Sequence, residues 1–456
     1  MNLFGTDGIR GNSSNFPFDN KTLYSLGIAI AKVMNCYNIF IIRDTRLSGK
    51  RIQCEIIKGL LAEGITPILG GVMPTASASY IVNKYSFSAA IVISASHNPY
   101  YDNGIKIFDK YGSKISHCTE YAIEQETYKN LHSIKNEIFI YNNSQIKENH
   151  KFIKIYENFV IKSFFGTTLS GKTIIIDCAN GSASRCAINV LTALGAKVIA
   201  LNCTPTGKNI NLNCGAIFPR ELASKIKQNH AFCGFAFDGD ADRIVCIDEN
   251  GSIKDANYFL ASIALWLKNN NKLNNNILIT SNMANIGLYK AMQKANIELI
   301  YSEVGDSFIM HNMKKYNASF GGEPSGHFIF KDVLLTGDGL LNAIILLSIL
   351  TIERKTLSKF MHDRIVQIYP HIIVNKPVKS KIPLNKLLKS DNLINTYKTK
   401  LNIDGKIIVR YSGTEKNVIR IMVEGINQVD ITNIANDIAN TIQNEIIELQ
   451  RKRICT

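Results

Sequence analysis

Three carboxylates two residues apart open the run Asp238-Gly239-Asp240-Ala241-Asp242-Arg243. Such groups repel one another unless something positive lies between them, and carboxylate oxygens are what a hard divalent cation prefers. Gly239 and Ala241 keep the intervening positions small, so a tight turn can converge the three side chains. Arg243 adds a fixed cation beside the cluster, suited to phosphate rather than to the metal. The apolar runs Phe232 to Phe237 and Ile244 to Ile247 read as strands on either side. Open α/β sheets bind their ligands at such strand ends. A calcium-binding helix–loop–helix opens in the same way, with Glu249 at its twelfth position. Its sixth position must be Gly, however, and here it is Arg243. A solvated acidic turn is the plainer alternative. The pattern predicts a magnesium site that handles phosphate.

Four further loops offer complementary groups. In Ser94-Ala95-Ser96-His97-Asn98-Pro99 the Asn-Pro turn holds Ser and His at a strand end. A hydroxyl there can accept a phosphoryl group and His97 can bond the resulting dianion, although spacing does not choose between Ser94 and Ser96. Downstream, Asp102 to Ile105 reads as a turn followed by Lys106, facing the same cleft. Gly321 to His327 reads as an extended loop on which Glu323, Ser325 and His327 alternate and project to one side. That array suits vicinal hydroxyls and proton transfer. Arg410-Tyr411-Ser412-Gly413-Thr414-Glu415, with Arg420 beyond it, has the hydroxyls, glycine and guanidinium groups of an anion nest. Gly5 to Gly11 supplies a Gly-rich loop with Arg10; no Gly-Lys-Ser/Thr follows, so it is not a nucleotide P-loop. Each loop alone is compatible with an ordinary turn. Together they describe phosphoryl transfer on a phosphosugar.

The elements that must position these loops are strands alternating with helices, an α/β pattern. Phe40–Arg43 and Ala89–Ser94 read as buried strands, and Ser48–Glu63 between them as a helix capped by Ser48. An Asn-rich polar stretch from about His132 to Lys151 marks a boundary. A second block starts at Lys172–Asp177 and ends near Ile247. A third runs from Asp255 to about Phe360, with helices at Tyr258–Leu267 and Gly339–Leu350. Three successive blocks of similar size suggest a distant internal repeat. After Pro370, two strands flank Ser412-Gly413-Thr414, and an amphipathic helix follows from about Val429 to Arg451.

At 456 residues the chain is too long for one core. Its net charge of +15 allows nucleic-acid binding in principle, but the basic residues are scattered, with no dense tract and no aromatic platform. A positive field attracts anionic sugar phosphates equally well. The ten cysteines show no CxxC pair or regular spacing, and several sit in apolar runs as small buried hydrophobes. A reducing compartment fits. The amino terminus lacks the pattern of a secretory signal, and Leu340–Leu350 is too short to span a bilayer. A soluble, cytoplasmic protein is expected.

In order along essentially the whole chain, these motifs resemble the α-D-phosphohexomutase superfamily, and within it the branch acting on glucosamine phosphates. Asp44-Thr45-Arg46, Asp177-Cys178-Ala179-Asn180-Gly181 and Thr336-Gly337-Asp338-Gly339 match as well. Pro324, Tyr411 and Lys416 depart from the family's pattern. The resemblance implies an α/β fold of four domains. Three similar domains span 1–150 (phosphoserine loop), 151–252 (magnesium loop) and 253–365 (sugar loop), and a smaller α+β phosphate-binding domain spans 366–456. It implies that Ser96 carries phosphate and that Asp238, Asp240 and Asp242 hold one Mg2+, with Ser96 or its phosphate completing the shell. Arg10, His97, Lys106, Arg243 and His327 would surround the reacting oxygen. Glu323 and Ser325 would contact sugar hydroxyls, and Arg410, Ser412, Gly413, Thr414 and Arg420 the non-reacting phosphate.

The implied reaction interconverts glucosamine 6-phosphate and glucosamine 1-phosphate, feeding UDP-N-acetylglucosamine and cell-envelope synthesis. Glucosamine or glucose 1,6-bisphosphate would serve as intermediate or activator. Phosphomannomutase and phosphoglucomutase reactions would use the same loops, but the amino-terminal motif and Ser-Ala-Ser-His-Asn-Pro favour glucosamine. A catalytically silent sugar-phosphate-binding protein is the rival of another class, and intact Ser96 and three intact Asp argue against it. The implied partner is the hexosamine phosphate, with neither nucleic acid nor membrane, and a homodimer is allowed.

Overall fold

Runs dense in Ile, Val and Phe build the central strands, because a strand covered by helices on both faces has no solvent side with which to alternate. The computed structural model describes residues 3–5, 7–133, 147–362, 367–412 and 417–454. They fall into two compact units, Met1–Asn282 with Ile297–Arg364, and Met283–Asn296 with Ile365–Thr456. The first sheet contains β1 (Phe4–Gly5), β2 (Gly8–Asn12), β3 (Ile39–Arg43), β4 (Ile68–Val72), β5 (Ala89–Ile93) and β6 (Asp102–Asp109), in the order β1-β2-β6-β5-β3-β4. Every residue of β3 and β5 is buried. The second sheet contains β7 (Thr173–Asp177), β8 (Lys197–Leu201), β9 (Cys233–Phe237) and β10 (Ile244–Ile247), in the order β10-β9-β7-β8. The third contains β11 (Ile277–Ser281), β12 (Glu298–Ser302), β13 (Phe320–Gly322) and β14 (Phe328–Phe330), in the order β12-β11-β13-β14.

One scheme is used three times. A central strand (β3, β7 or β11) lies parallel to its successor on one side and to the third strand on the other, and the fourth strand runs antiparallel to the third. Parallel neighbours need a crossover, usually a helix. Gly49–Ala62 and Thr75–Lys84, Ala183–Ala193 and Arg220–Gln228, and Ile286–Lys294 and Asp306–Lys315 occupy the corresponding places. The internal repeat expected from block size is therefore present in topology. In each copy the link between third and fourth strands carries a candidate loop: 94–101, 238–243 and 323–327.

Local details differ from the sequence expectations. Asp102–Ile105 is not a turn but the start of β6, because Ile105, Ile107 and Phe108 fill a strand paired with both β5 and β2. Ser48 precedes its helix without capping it, and its hydroxyl accepts from Asn103 Nδ2 at 2.8 Å. The expected helices at 258–267 and 339–350 run longer, as Ala256–Asn269 and Gly339–Glu353, capped by Asp255 and Asp338. Of the Asn-rich boundary, residues 134–146 lie outside the described residues. No described helix is long and apolar enough to cross a membrane.

The second unit holds an antiparallel sheet of β15 (His371–Pro377), β16 (Lys406–Tyr411) and β17 (Val418–Glu424), in the order β15-β17-β16. The amphipathic helix runs Gln428–Ile454. Its Ile431, Ile434, Ile438, Ile442 and Ile446, at helical spacing, pack with Ile407, Ile419, Ile421 and Val423 of the sheet. The helix Ile286–Lys294 belongs to this unit, where Ile286 N–H donates to Glu424 Oε1 at 2.5 Å.

Candidate active site

The loop between β9 and β10 is a hairpin in which Ala241 takes a left-handed φ of 58° and its N–H returns to the carbonyl of Asp238 at 3.0 Å. This turn brings ligand oxygens of Asp238, Asp240 and Asp242 within 4.8 Å of one another, all three side chains buried. The anticipated convergence is thus present. Lys106 Nζ donates to Asp240 Oδ2 and to Asp242 Oδ2, both at 2.8 Å, and Thr75 Oγ1 donates to Asp240 Oδ2 at 2.6 Å. Asp240 Oδ1 is buried with no hydrogen-bond donor among the described residues. Burial, then the charges of Asp242 and Asp240, push the Asp238 carboxyl up to about 8. An all-oxygen donor set, mutually repelling and with two oxygens, Asp240 Oδ1 and Asp242 Oδ1, unsatisfied, fits a hard divalent cation.

Ser96 projects into this cluster. Its hydroxyl donates to Asp238 Oδ2 at 2.5 Å and lies 3.4 Å from His97 Nδ1. Ser94, which the sequence left as an equal candidate, is committed elsewhere: its hydroxyl donates to Asp44 Oδ2 at 2.6 Å and accepts from Ser96 N–H at 2.9 Å. Burial, then the cations Arg243 and Arg10, lower the pKa of His97 to about 4, so its ring is neutral at pH 7.

A ring of alternating charge surrounds the cluster. Asp7 bonds Arg10 and Lys114 and stands 3.5 Å from Lys106 Nζ. Burial alone would raise its carboxyl, but Lys106, Lys114 and Arg10 hold it well below the ordinary range. Lys114 continues to Asp306 at 2.5 Å, and Arg10 Nη1 donates to Ala95 O at 3.0 Å. Arg243 Nε lies 3.8 Å from Asp242 Oδ1, and the backbone N–H of Arg243 donates to Asp238 Oδ1 at 3.2 Å. His327 sits between Asp242 at 3.8 Å and Asp306 at 3.6 Å. Gly337 N–H donates to its Nε2 at 3.2 Å, which places a proton on Nδ1 facing Asp242. Burial opposes a charge on this ring, but the Asp242 and Asp306 carboxylates raise its pKa.

The segment 323–327 is a tight turn rather than the extended loop expected. It closes the β13–β14 hairpin with Glu323 N–H to His327 O at 2.8 Å and Gly326 N–H to Glu323 O at 3.0 Å. Glu323 and His327 are consequently buried while Ser325 stands exposed at the tip. Glu323 Oε1 accepts from Gly305 N–H at 3.1 Å, and burial raises its carboxyl.

In the second unit Arg410 and Arg420 are direct cross-strand partners in the β16–β17 ladder. Ser412 is buried just beyond β16, while Gly413 and Thr414 lie outside the described residues.

Sequence reasoning gave no role to Asp7, Thr75, Lys114, Asn211 or Asp306, and quoted Asp44 and Arg46 only as part of a matching stretch. Asp7 lies inside the Gly-rich loop that was singled out, so its position was available. Thr75, Asn211 and Asp306 carry no spacing signal, because only the sheet topology brings them to the cluster.

Four segments match the phosphoglucomutase/phosphomannomutase family: alpha/beta/alpha domain I over residues 1–133, domain II over 153–251, domain III over 255–368, and the C-terminal domain over 374–441. The phosphoglucosamine mutase of Chlamydia felis is 37% identical, covering 97% of each chain. That of Aliarcobacter butzleri is 38% identical, covering 94% of this chain and 97% of its own. Among solved structures, a phosphoglucomutase/phosphomannomutase family protein of Burkholderia thailandensis superposes with a TM-score of 0.76 at 22% identity, over 97% of each chain. The Aspergillus fumigatus N-acetylphosphoglucosamine mutase, in complex with GlcNAc-6P and magnesium, does so with 0.66 at 14%, over 98% of this chain and 96% of its own.

Proposed function

We propose that this chain, which belongs to the phosphoglucomutase/phosphomannomutase family, interconverts glucosamine 6-phosphate and glucosamine 1-phosphate. The observation that carries the reaction type is the Ser96 hydroxyl at 2.5 Å from a carboxylate of a buried acidic triad. The sugar preference is supported by full-length relatives named phosphoglucosamine mutase, 35% and 37% identical among them.

In this reading phosphorylated Ser96 gives its phosphoryl group to the free oxygen of the bound sugar phosphate. The resulting 1,6-bisphosphate turns over and returns its other phosphate to Ser96. Asp238, Asp240 and Asp242 would hold Mg2+, which when bound supplies positive charge to the transferring group. Arg243, Arg10 and Lys106 add fixed cations beside Ser96, so developing charge meets donors already in place. His97, neutral at pH 7, can bond a phosphoryl oxygen. His327 can hold or move a proton at Nδ1 or Nε2, and Glu323 and Ser325 can bond sugar hydroxyls. In the second unit, Arg410, Ser412, Gly413, Thr414 and Arg420 are assigned to a phosphate. The boundaries near 150, 252 and 365, and a cytoplasmic setting, belong to the same proposal.

The test is a coupled mutase assay on glucosamine, glucose and mannose phosphates, using magnesium and bisphosphate-primed protein. The highest kcat/KM is expected on glucosamine phosphate. No turnover on any of the three would overturn the reading, and a preference for glucose or mannose would overturn the sugar assignment alone.

A further inference from the structure

Ser96 has a left-handed backbone, with φ of 52°, which is costly for a residue with a Cβ and persists only where its surroundings impose it. Two side chains from different parts of the fold do so. Arg46, just after β3, donates through Nη2 to the carbonyls of Ser96 at 2.9 Å and Asn98 at 2.8 Å. Asn211, in the stretch between β8 and β9, donates through Nδ2 to the same two carbonyls, at 2.8 and 3.1 Å. Asn211 is buried and is itself left-handed, with φ of 58°, and its N–H donates to Ala179 O at 2.9 Å. Gly239 of the acidic loop lies against this contact. A Cβ there would stand 2.6 Å from the Ser96 carbonyl oxygen and 2.8 Å from Asn211 Nδ2, so only glycine admits it.

We propose that Asn211 is a positioning residue for phosphoryl transfer: its amide pins the phosphoserine loop to the block that bears the acidic loop. This rests on the phosphoryl-transfer reading above. Asn211 donates to carbonyl oxygens and not to the Ser96 hydroxyl, so it acts through the backbone that aims Ser96 Oγ at Asp238. The transferring oxygen must return to one place in both half-reactions, and a misplacement of about 1 Å can cost about 100-fold in rate. Arg46 alone cannot fix the loop relative to the second sheet, because it is carried by the same sheet as Ser96. Asn211 supplies the link from the other side.

The test compares Asn211→Gly, which accepts the left-handed backbone, with Asn211→Asp, which is nearly isosteric but faces two carbonyl oxygens with a carboxylate. In the bisphosphate-primed, magnesium-loaded enzyme, Asn211→Gly should lower kcat by roughly 10–100-fold, with KM and magnesium affinity within about twofold of wild type. Asn211→Asp should be slower still. Intact-mass analysis should show slower re-phosphorylation of Ser96 by glucose 1,6-bisphosphate, with thermal melting confirming a folded variant. If Asn211→Asp does not fold, Asn211→Gly carries the test. Wild-type kcat in the variants, or a loss confined to KM or magnesium affinity, overturns the proposal while leaving the mutase reading intact. An inactive wild type overturns the mutase reading instead.

Discussion

The hydroxyl of Tyr156 donates to both carboxylate oxygens of Asp338, at 3.0 and 2.9 Å, across 182 residues and in full burial. Asp338 also accepts from Leu341 N–H at 3.0 Å, capping the most apolar helix of the chain. Burial is the main cause that pushes its carboxyl up to about 6, with Leu341 N–H, the Tyr156 hydroxyl and Leu340 N–H pulling the other way. Between pH of about 4 and 6 the folded state therefore holds a proton that the unfolded chain has released. Stability is lost as pH rises through that window, by up to about 3 kcal/mol for two pKa units. Asp338→Asn keeps a cap and an acceptor without a charge. Its unfolding free energy, followed by denaturant titration, should be flatter across pH 4–6 than that of wild type. Tyr156→Phe should cost about 1–3 kcal/mol and move the window upward, since the charged form loses a donor. An unchanged pH profile in Asp338→Asn would remove Asp338 as its source.

Ser94 and Ser96 make separable predictions. Ser96→Ala should abolish turnover and the phosphate seen by intact mass, while leaving the protein folded. Ser94→Ala should leave Ser96 phosphorylatable but cost about 1–3 kcal/mol of stability, because Asp44 and the Ser96 N–H both lose a buried partner. Full activity in Ser96→Ala would transfer the phosphoryl-accepting role to another residue.

For the acidic loop the expected readout is linkage. Magnesium that binds only the folded protein should raise its stability by about 2.7 kcal/mol at a hundred times its Kd. Asp240→Asn should reduce that shift and the activity together. The neighbouring Thr75 hydroxyl and Lys106 ammonium keep an acceptor at residue 240, so the fold should survive. Activity that persists in excess chelator would show that the triad is not a catalytic metal site.

Much of this site was legible in the chain because each candidate loop is a contiguous run between two recognisable strands. Asp238–Arg243 needed only Phe232–Phe237 and Ile244–Ile247 to be placed, and strands occupy Cys233–Phe237 and Ile244–Ile247. Tertiary pairing decided what local pattern could not. Asp102–Ile105 has turn-forming residues, yet two neighbouring strands draw it into the sheet. Glu323 to His327 alternates in sequence, yet Gly326, at φ of 88°, lets it fold back into a turn that exposes Ser325. Ser94 and Ser96 were equivalent until Asp44, fifty residues away, took the hydroxyl of the first. Asn211 had no signal, since its function lies in two carbonyls contributed by a distant loop. In the second unit β15 went unread because its apolar run is only three residues, Ile372-Ile373-Val374, and its residues alternate exposed and half-buried.

The last prediction concerns Arg410. Its cross-strand partner in the sheet is Arg420. Under the proposed mechanism Arg410 binds the phosphate that is not reacting, whose binding energy positions the sugar for transfer. Arg410→Ala should then lower kcat/KM by roughly 10–100-fold, the scale of one lost charge-assisted bond of about 1.5–3 kcal/mol. Phosphorylation of Ser96 and magnesium binding should be unaffected. More free bisphosphate should accumulate during turnover, because the intermediate must reorient while held. Phosphate should raise the melting temperature of wild type more than that of the variant. Wild-type kinetics in Arg410→Ala, without extra bisphosphate in solution, would reduce this strand pair to a structural feature of the sheet.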